Sequence, residues 1–217
     1  MKKILSNQSR RQEAFTLIEL LVVMAIIALL AALIIPLAGS ATASAQKARV
    51  STELTKIETA ISAYKDKVGF YPPDNPIGPD TNQLYYELTG TIYNPNAKNF
   101  TNADGTIIGP STISTWFGVD GFANATQNPE EKPPFRFPFE PNDYSLVQSN
   151  PPVELLVCPV QGPHMITATG GKLLNPWRYN SSHPTNNPNS YDLWVDVTIR
   201  GKTNRFCNWS TEPIILQ

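Results

Sequence analysis

The sequence predicts an α+β protein, with one long N-terminal helix packed on a small C-terminal antiparallel β-sheet. Three observations lead there. An apolar run from Phe15 to Ile35 passes into an amphipathic stretch ending at Val68, with no break in helical patterning. Nineteen of the 20 prolines lie after residue 68, so long helices should stop there. Near the C-terminus Tyr191, Leu193, Val195, Val197 and Ile199 alternate with Asp192, Trp194, Asp196, Thr198 and Arg200, the period of a half-buried strand.

The first element is the apolar run. Its 21 residues are long enough, at about 1.5 Å per residue, to cross a hydrocarbon core of about 30 Å. One carboxylate, Glu19, interrupts it. A charge in such a segment costs on the order of 2.5–3.5 kcal/mol at mid-membrane and less near an edge, so it needs a reason, usually a positive partner. Lys2, Lys3, Arg10 and Arg11 precede the run, which places its start on the cytoplasmic side and sends the rest outward.

Ala14 followed by Phe15-Thr16-Leu17-Ile18-Glu19-Leu20-Leu21-Val22-Val23 resembles the processing site of type IV pilins and type II secretion pseudopilins. The resemblance implies that a prepilin peptidase cuts between Ala14 and Phe15, that the new amino group of Phe15 is N-methylated, and that Glu19 is the assembly residue. Ala14 stands where that family usually has Gly, and Ala is also small. Pro36 falls where the family places a helix-weakening proline. The fold implied is the type IV pilin fold. Its segments would be a cleaved leader (1–14), a transmembrane and filament-core helix (15–35), the amphipathic half of the same helix (36–68), and an exported loop-rich domain (69–217). The alternative is a secretory signal peptide cut near Ala41-Thr42-Ala43 or Ala43-Ser44-Ala45. Against it stand the length of the apolar run, the presence of Glu19, and helical patterning that continues past the cut.

From Ala41 to Val68, the residues Val50, Leu54, Ile57, Ile61, Tyr64 and Val68 recur at spacings of 4, 3, 4, 3 and 4, one apolar stripe on a helix. Gly69 and Pro72-Pro73 end it. Between the halves, Pro36, Gly39, Ser40, Thr42 and Ser44 weaken the helix and mark a place for a bend or local melting. Residues 69–150 are rich in Pro, Asn, Gly and Thr. Within them Gln83–Leu88 reads as a short helix, and Ile107-Ile108 and Ile113–Val119 as short strands. The Pro/Phe-rich stretch from Pro133 to Pro141 reads as an aromatic loop packed on the domain. Val153–Val160 is a strand, and Gly201–Asn204 turns the chain into a return strand, Arg205–Trp209. Asn175-Pro176-Trp177, Tyr179 and Ser190-Tyr191-Asp192-Leu193 resemble the C-terminal pattern of major pseudopilins.

Composition narrows the function. The net charge is −1, and loss of the leader would remove four Lys/Arg and one acid, leaving 13 basic and 17 acidic residues. That argues against a nucleic-acid partner. Cys158 and Cys207 are an even pair in an exported domain, which points to a disulfide; the alternative is two buried thiols that never meet. His164 and His183 have no metal-ligand spacing, and no P-loop, Gly-x-Ser-x-Gly or Cys-x-x-Cys occurs. Asp192 and Asp196 read as solvated strand residues. Pseudopilins of this pattern hold calcium in a C-terminal loop, but here Lys202 and Arg205 stand at that loop, so no metal and no cofactor is expected. The sequence therefore reads as a non-enzymatic, pilin-like subunit of a type II secretion system. It would sit in the bacterial inner membrane with its N-terminus cytoplasmic and its C-terminal domain periplasmic. Its partners would be like subunits in a filament, prepilin peptidase and an inner-membrane assembly platform. The alternatives are a true type IV pilin for adhesion, motility or DNA uptake, and a membrane-anchored binding module.

Overall fold

The computed structural model of the chain describes residues 16–128 and 130–216, without the side chains of residues 33–38 and 149. The chain divides into two compact units, one ending at Ser44 and the other Ala45–Gln217. Helix α1, Leu17–Val68, contributes to both. It is helical through Pro36, so the expected break in this stretch is not seen in the backbone; the Pro36 side chain lies outside the described residues.

In the larger unit the apolar stripe of α1 does what its spacing demands. Val50, Ile57, Ala60, Ile61 and Tyr64 are buried, and Leu54 and Val68 are half-buried. The helix ends where Gly69, at φ 98°, donates its N–H to Lys65 O at 2.8 Å. Helix α2, Leu84–Thr89, is buried throughout. It stops at Gly90, where φ is 76° and a Cβ would lie 2.5 Å from Pro133 Cβ, so glycine is needed for both conformation and space.

Among the described residues three four-stranded sheets follow, where the sequence led us to expect one small sheet. The first uses β1 (Thr91–Asn94), β2 (Asn99–Thr101), β3 (Ile107–Ile108) and β4 (Ala125–Thr126) in the order β3-β2-β1-β4. It lies in the 69–150 region, whose strands are too short to show a period of their own. Helix α3, Pro110–Phe117, interrupts it, so the expected strand Ile113–Val119 is incorrect. Pro110 at the first helical turn and Gly118 in the left-handed conformation bracket a helix, and Ile113 and Phe117, four apart, are its buried face.

The second sheet has β5 (Tyr144–Ser149), β6 (Pro152–Cys158), β7 (Ile166–Thr167) and β8 (Leu173–Pro176) in the order β5-β6-β8-β7. The third has β9 (Arg178–Asn180), β10 (Asp192–Ile199), β11 (Lys202–Cys207) and β12 (Ile214–Leu216) in the order β12-β11-β10-β9. Trp177, 1% exposed, joins the two: its N–H donates to Leu156 O, and its carbonyl accepts from Asn82 Nδ2 at 2.7 Å. The Phe-rich loop packs as expected. The Phe135 ring meets Tyr64 edge-on at 5.6 Å, and Phe137 N–H donates to Leu88 O at 2.8 Å.

The C-terminal region corrects four expectations. Its turn is Arg200-Gly201, both left-handed, because Ile199 pairs with Lys202. Two positive-φ residues are what a tight hairpin requires, so no loop of 201–204 exists to hold an ion. Asp196, expected to be solvated, is 1% exposed; it faces Arg205 across the ladder and accepts from its Nε and Nη2 at 2.8 and 2.9 Å. Asp192, also expected outside, is buried and accepts the backbone N–H groups of Thr185, Asn186 and Asn187 at 2.8–2.9 Å. Finally, Cys158 and Cys207 are both buried free thiols, so the expected disulfide is not present. One ends β6 of the second sheet and the other ends β11 of the third. Burial pushes the Cys158 thiol up to about 12.

Alkylation under denaturing, non-reducing conditions should therefore label two thiols per chain. In the native protein Cys158 should react far more slowly than a free cysteine, because burial both shields it and keeps it protonated. A chain that labels only after reduction would restore the disulfide.

Candidate functional site

The segment that the sequence marks for assembly begins at the first described residue. Thr16 precedes α1 and Glu19 lies in its first turn. The first N–H groups of a helix have no partner within it, and Thr-x-x-Glu satisfies two of them reciprocally. Here Glu19 Oε2 accepts the backbone N–H of Thr16 at 2.8 Å and its hydroxyl at 2.7 Å. The Glu19 N–H donates in return to Thr16 Oγ1 at 3.3 Å. Leu20 N–H closes the turn on Thr16 O at 3.2 Å. Thr16 is the helix-capping residue that sequence reading missed, although the capping-box spacing was there to find it.

Beyond Glu19 the helix turns apolar on every side. The large apolar side chains from Leu17 to Leu30 are 47–82% exposed. A single unpaired Leu on a surface needs no explanation, but an apolar surface that encircles a helix for this length must be covered by something else. Ala14 and Phe15, the expected processing pair, lie outside the described residues, as does the side chain of Pro36. Among the described residues no helix is long and apolar enough to cross a membrane. The expected span, residues 15–35, includes Phe15 and the side chains of residues 33–35, which are not described.

The remaining candidates do not converge. Among the described residues no three His, Cys, Asp or Glu side chains come together as a metal site would need. His164 is exposed with Nδ1 3.8 Å from Asp196 Oδ2, while His183 is exposed and its backbone N–H donates to Asn180 Oδ1. Asp192 and Asp196 are taken up by their loop and by Arg205 respectively.

Comparison with known proteins bears on the same segment. Residues 9–35 match the model of the prokaryotic N-terminal methylation motif. The chain is similar to the fimbrial protein EcpB of Eikenella corrodens, 39% identical over 89 residues. That alignment covers 41% of this chain and 56% of EcpB, so the chain spans little over half the length of the curated relative it matches. No solved structure gives a significant match. The chain thus carries a prepilin-type N-terminal methylation motif and resembles type IV pilin-like proteins. Such a motif goes with processing by prepilin peptidase and with a membrane-anchored or surface filament of like subunits.

Thr16→Val keeps the shape of the side chain and removes both hydroxyl bonds. Loss of an N-cap costs on the order of 1 kcal/mol, so amide exchange at Glu19 and Leu20 in the micelle-bound chain should quicken about fivefold. Unchanged exchange would mean that the capping box does not hold the helix start.

Proposed function

We propose that this chain is a pilin-like filament subunit, processed between Ala14 and Phe15, anchored through residues 15–35 and assembled through its N-terminal helix. The observation that carries the reading is the Thr16–Glu19 start of α1 followed at once by a helix whose apolar surface is open all round. Lipid covers that surface while the subunit waits, and the helices of other subunits cover it in the filament. Its partners are like subunits, prepilin peptidase and an inner-membrane assembly platform.

Glu19 is the recognition group. Its carboxylate now rests on the Thr16 N–H and hydroxyl. In assembly it meets the charged amino group of a neighbouring subunit's Phe15. Two opposite charges about 4 Å apart attract by ~4 kcal/mol at a protein-like dielectric, before desolvation is subtracted. Nothing in this mechanism breaks or makes a bond, so the subunit works mechanically and not as an enzyme.

The subunit serves a type II secretion system. This finer reading rests on the C-terminal residues Asn175-Pro176-Trp177, Tyr179 and Ser190–Leu193, which resemble the pseudopilin pattern. A surface pilus is the second reading, and the similarity to a fimbrial protein favours it. Deletion of the gene separates the two: loss of folded-protein secretion without loss of surface fibres supports a pseudopilin, and loss of fibres alone supports a pilus.

Two outcomes are expected on the subunit itself. Mass spectrometry of the mature chain should find N-methylated Phe15 at the terminus; a terminus near Ser44 or Gln46 would sink the reading. Glu19→Ala should leave membrane insertion intact, because a carboxylate is removed from an apolar segment. It should slow filament assembly at least tenfold, measured by shearing and blotting of filaments. Assembly at the normal rate would leave Glu19 without its pairing role.

A further inference from the structure

A charge imbalance lies where α1 meets the second sheet in the larger unit. The Glu53 side chain is 13% exposed, and its Oε2 is buried with no hydrogen-bond partner among the described residues. The charged and titratable groups around it are these. Arg49, one turn earlier on α1, is 55% exposed and reaches Glu53 Oε1 at 3.7 Å, too long for a hydrogen bond. Lys56, one turn later, is committed elsewhere, donating to Asp143 Oδ2 at 2.6 Å with Glu140 at 3.8 Å. Asp143 precedes β5, and from β6 comes the Cys158 thiol, held protonated by burial.

The tally is two cations, Arg49 and Lys56, against Asp143, Glu140 and Glu53. With Glu53 ionised the cluster has one negative charge in excess, and Glu53 is the carboxylate left with a buried, unpartnered oxygen, whereas Asp143 is held by Lys56. A cavity of about 10 Å³ adjoins it, lined by Glu53, Lys56, Ile57, Asp143, Val157 and Trp177. That is at the lower limit for one water, so solvent has little room to compensate. Burial, opposed in part by Arg49, accordingly raises the Glu53 carboxyl to about 7.

We propose that Glu53 is a proton-operated latch: protonated, it holds the Val50–Ile61 turns of α1 against β6 and the segment before β5; ionised, it loosens them. A carboxyl raised in the folded state leaves stability full below its ordinary value and lowers it as the pH rises, because the open form releases its proton first. The latch is therefore tight at acidic pH and is lost as the pH rises through about 7. The device would let a change in pH near neutrality alter how firmly the exported unit grips its own helix. It rests on this unit alone and not on the filament reading.

Hydrogen exchange of the full chain in micelles tests it, with rates corrected for intrinsic pH dependence. Protection of the Leu54–Ile61 amides should fall about tenfold between pH 5.5 and 8. Glu53→Gln, which is neutral at all pH and nearly isosteric, should stay well protected at both. Arg49→Gln, which removes the cation favouring ionisation, should move the loosening to higher pH. Glu154→Gln serves as the control, because Glu154 is the other carboxyl that burial raises to about 7; it should keep the fall. A flat wild-type profile, a fall that persists in Glu53→Gln, or one that disappears in Glu154→Gln overturns the proposal.

Discussion

The larger unit depends on one buried carboxylate, Glu87, which is 1% exposed. It accepts the Tyr64 hydroxyl from α1 at 3.1 Å and the backbone N–H groups of Ala123 and Asn124 at 2.7 and 2.9 Å. Asn124 then donates to Glu87 O and Phe135 O, and accepts from Phe135 N–H. Four separated pieces of chain are tied at this point: the long helix, α2, the approach to β4 and the Phe-rich loop. Burial raises the carboxyl and the three donors lower it again. Oε2 takes two of these donors and Oε1 only the Ala123 N–H, so losing that one would leave a buried oxygen unmatched, a cost of about 1–3 kcal/mol. A network of this kind stabilises one arrangement over its neighbours, because a shifted register leaves several groups unpaired at once.

The N-terminal part of α1 obeys the opposite rule. Among the described residues the large apolar side chains from Leu17 to Leu30 are left exposed. The same helix is thus soluble-like over Val50–Tyr64, where one stripe is buried, and apolar all round before it. Helix α1 runs through both stretches because its backbone hydrogen bonds are satisfied within the helix whatever the side chains are. Only the side chains change with the surroundings.

Charged groups in the larger unit show how placement decides their character. Asp196 is bound at two points by Arg205, and Asp192 caps a loop with three backbone donors. Glu53 has no such partner for its second oxygen. Two carboxylates have their oxygens matched by donors, and the third keeps one oxygen unmatched.

The sequence by itself determined the long helix, its buried stripe, the end at Gly69, α2, β3, β6, β10 and the N-terminal methylation motif. Each of these is written in short-range terms: a period of 3.6 or 2, a capping residue, or a contiguous motif. Tertiary structure decided the rest. Ile113–Val119 carries apolar residues in a run too short to declare a period, and only its Pro110 and Gly118 brackets turn it into a helix. The division into three sheets depends on pairings such as β1 with β4, some 30 residues apart, with strands of two to four residues. Asp192 and Asp196 alternate as outward residues should, yet they are buried, because the preceding loop folds back over Asp192 and the hairpin partner strand sets Arg205 opposite Asp196. Cys158 and Cys207 are an even pair in number only, since pairing depends on which strands end side by side. A local pattern determines which face a residue presents; the long-range packing determines what, if anything, is there to meet it.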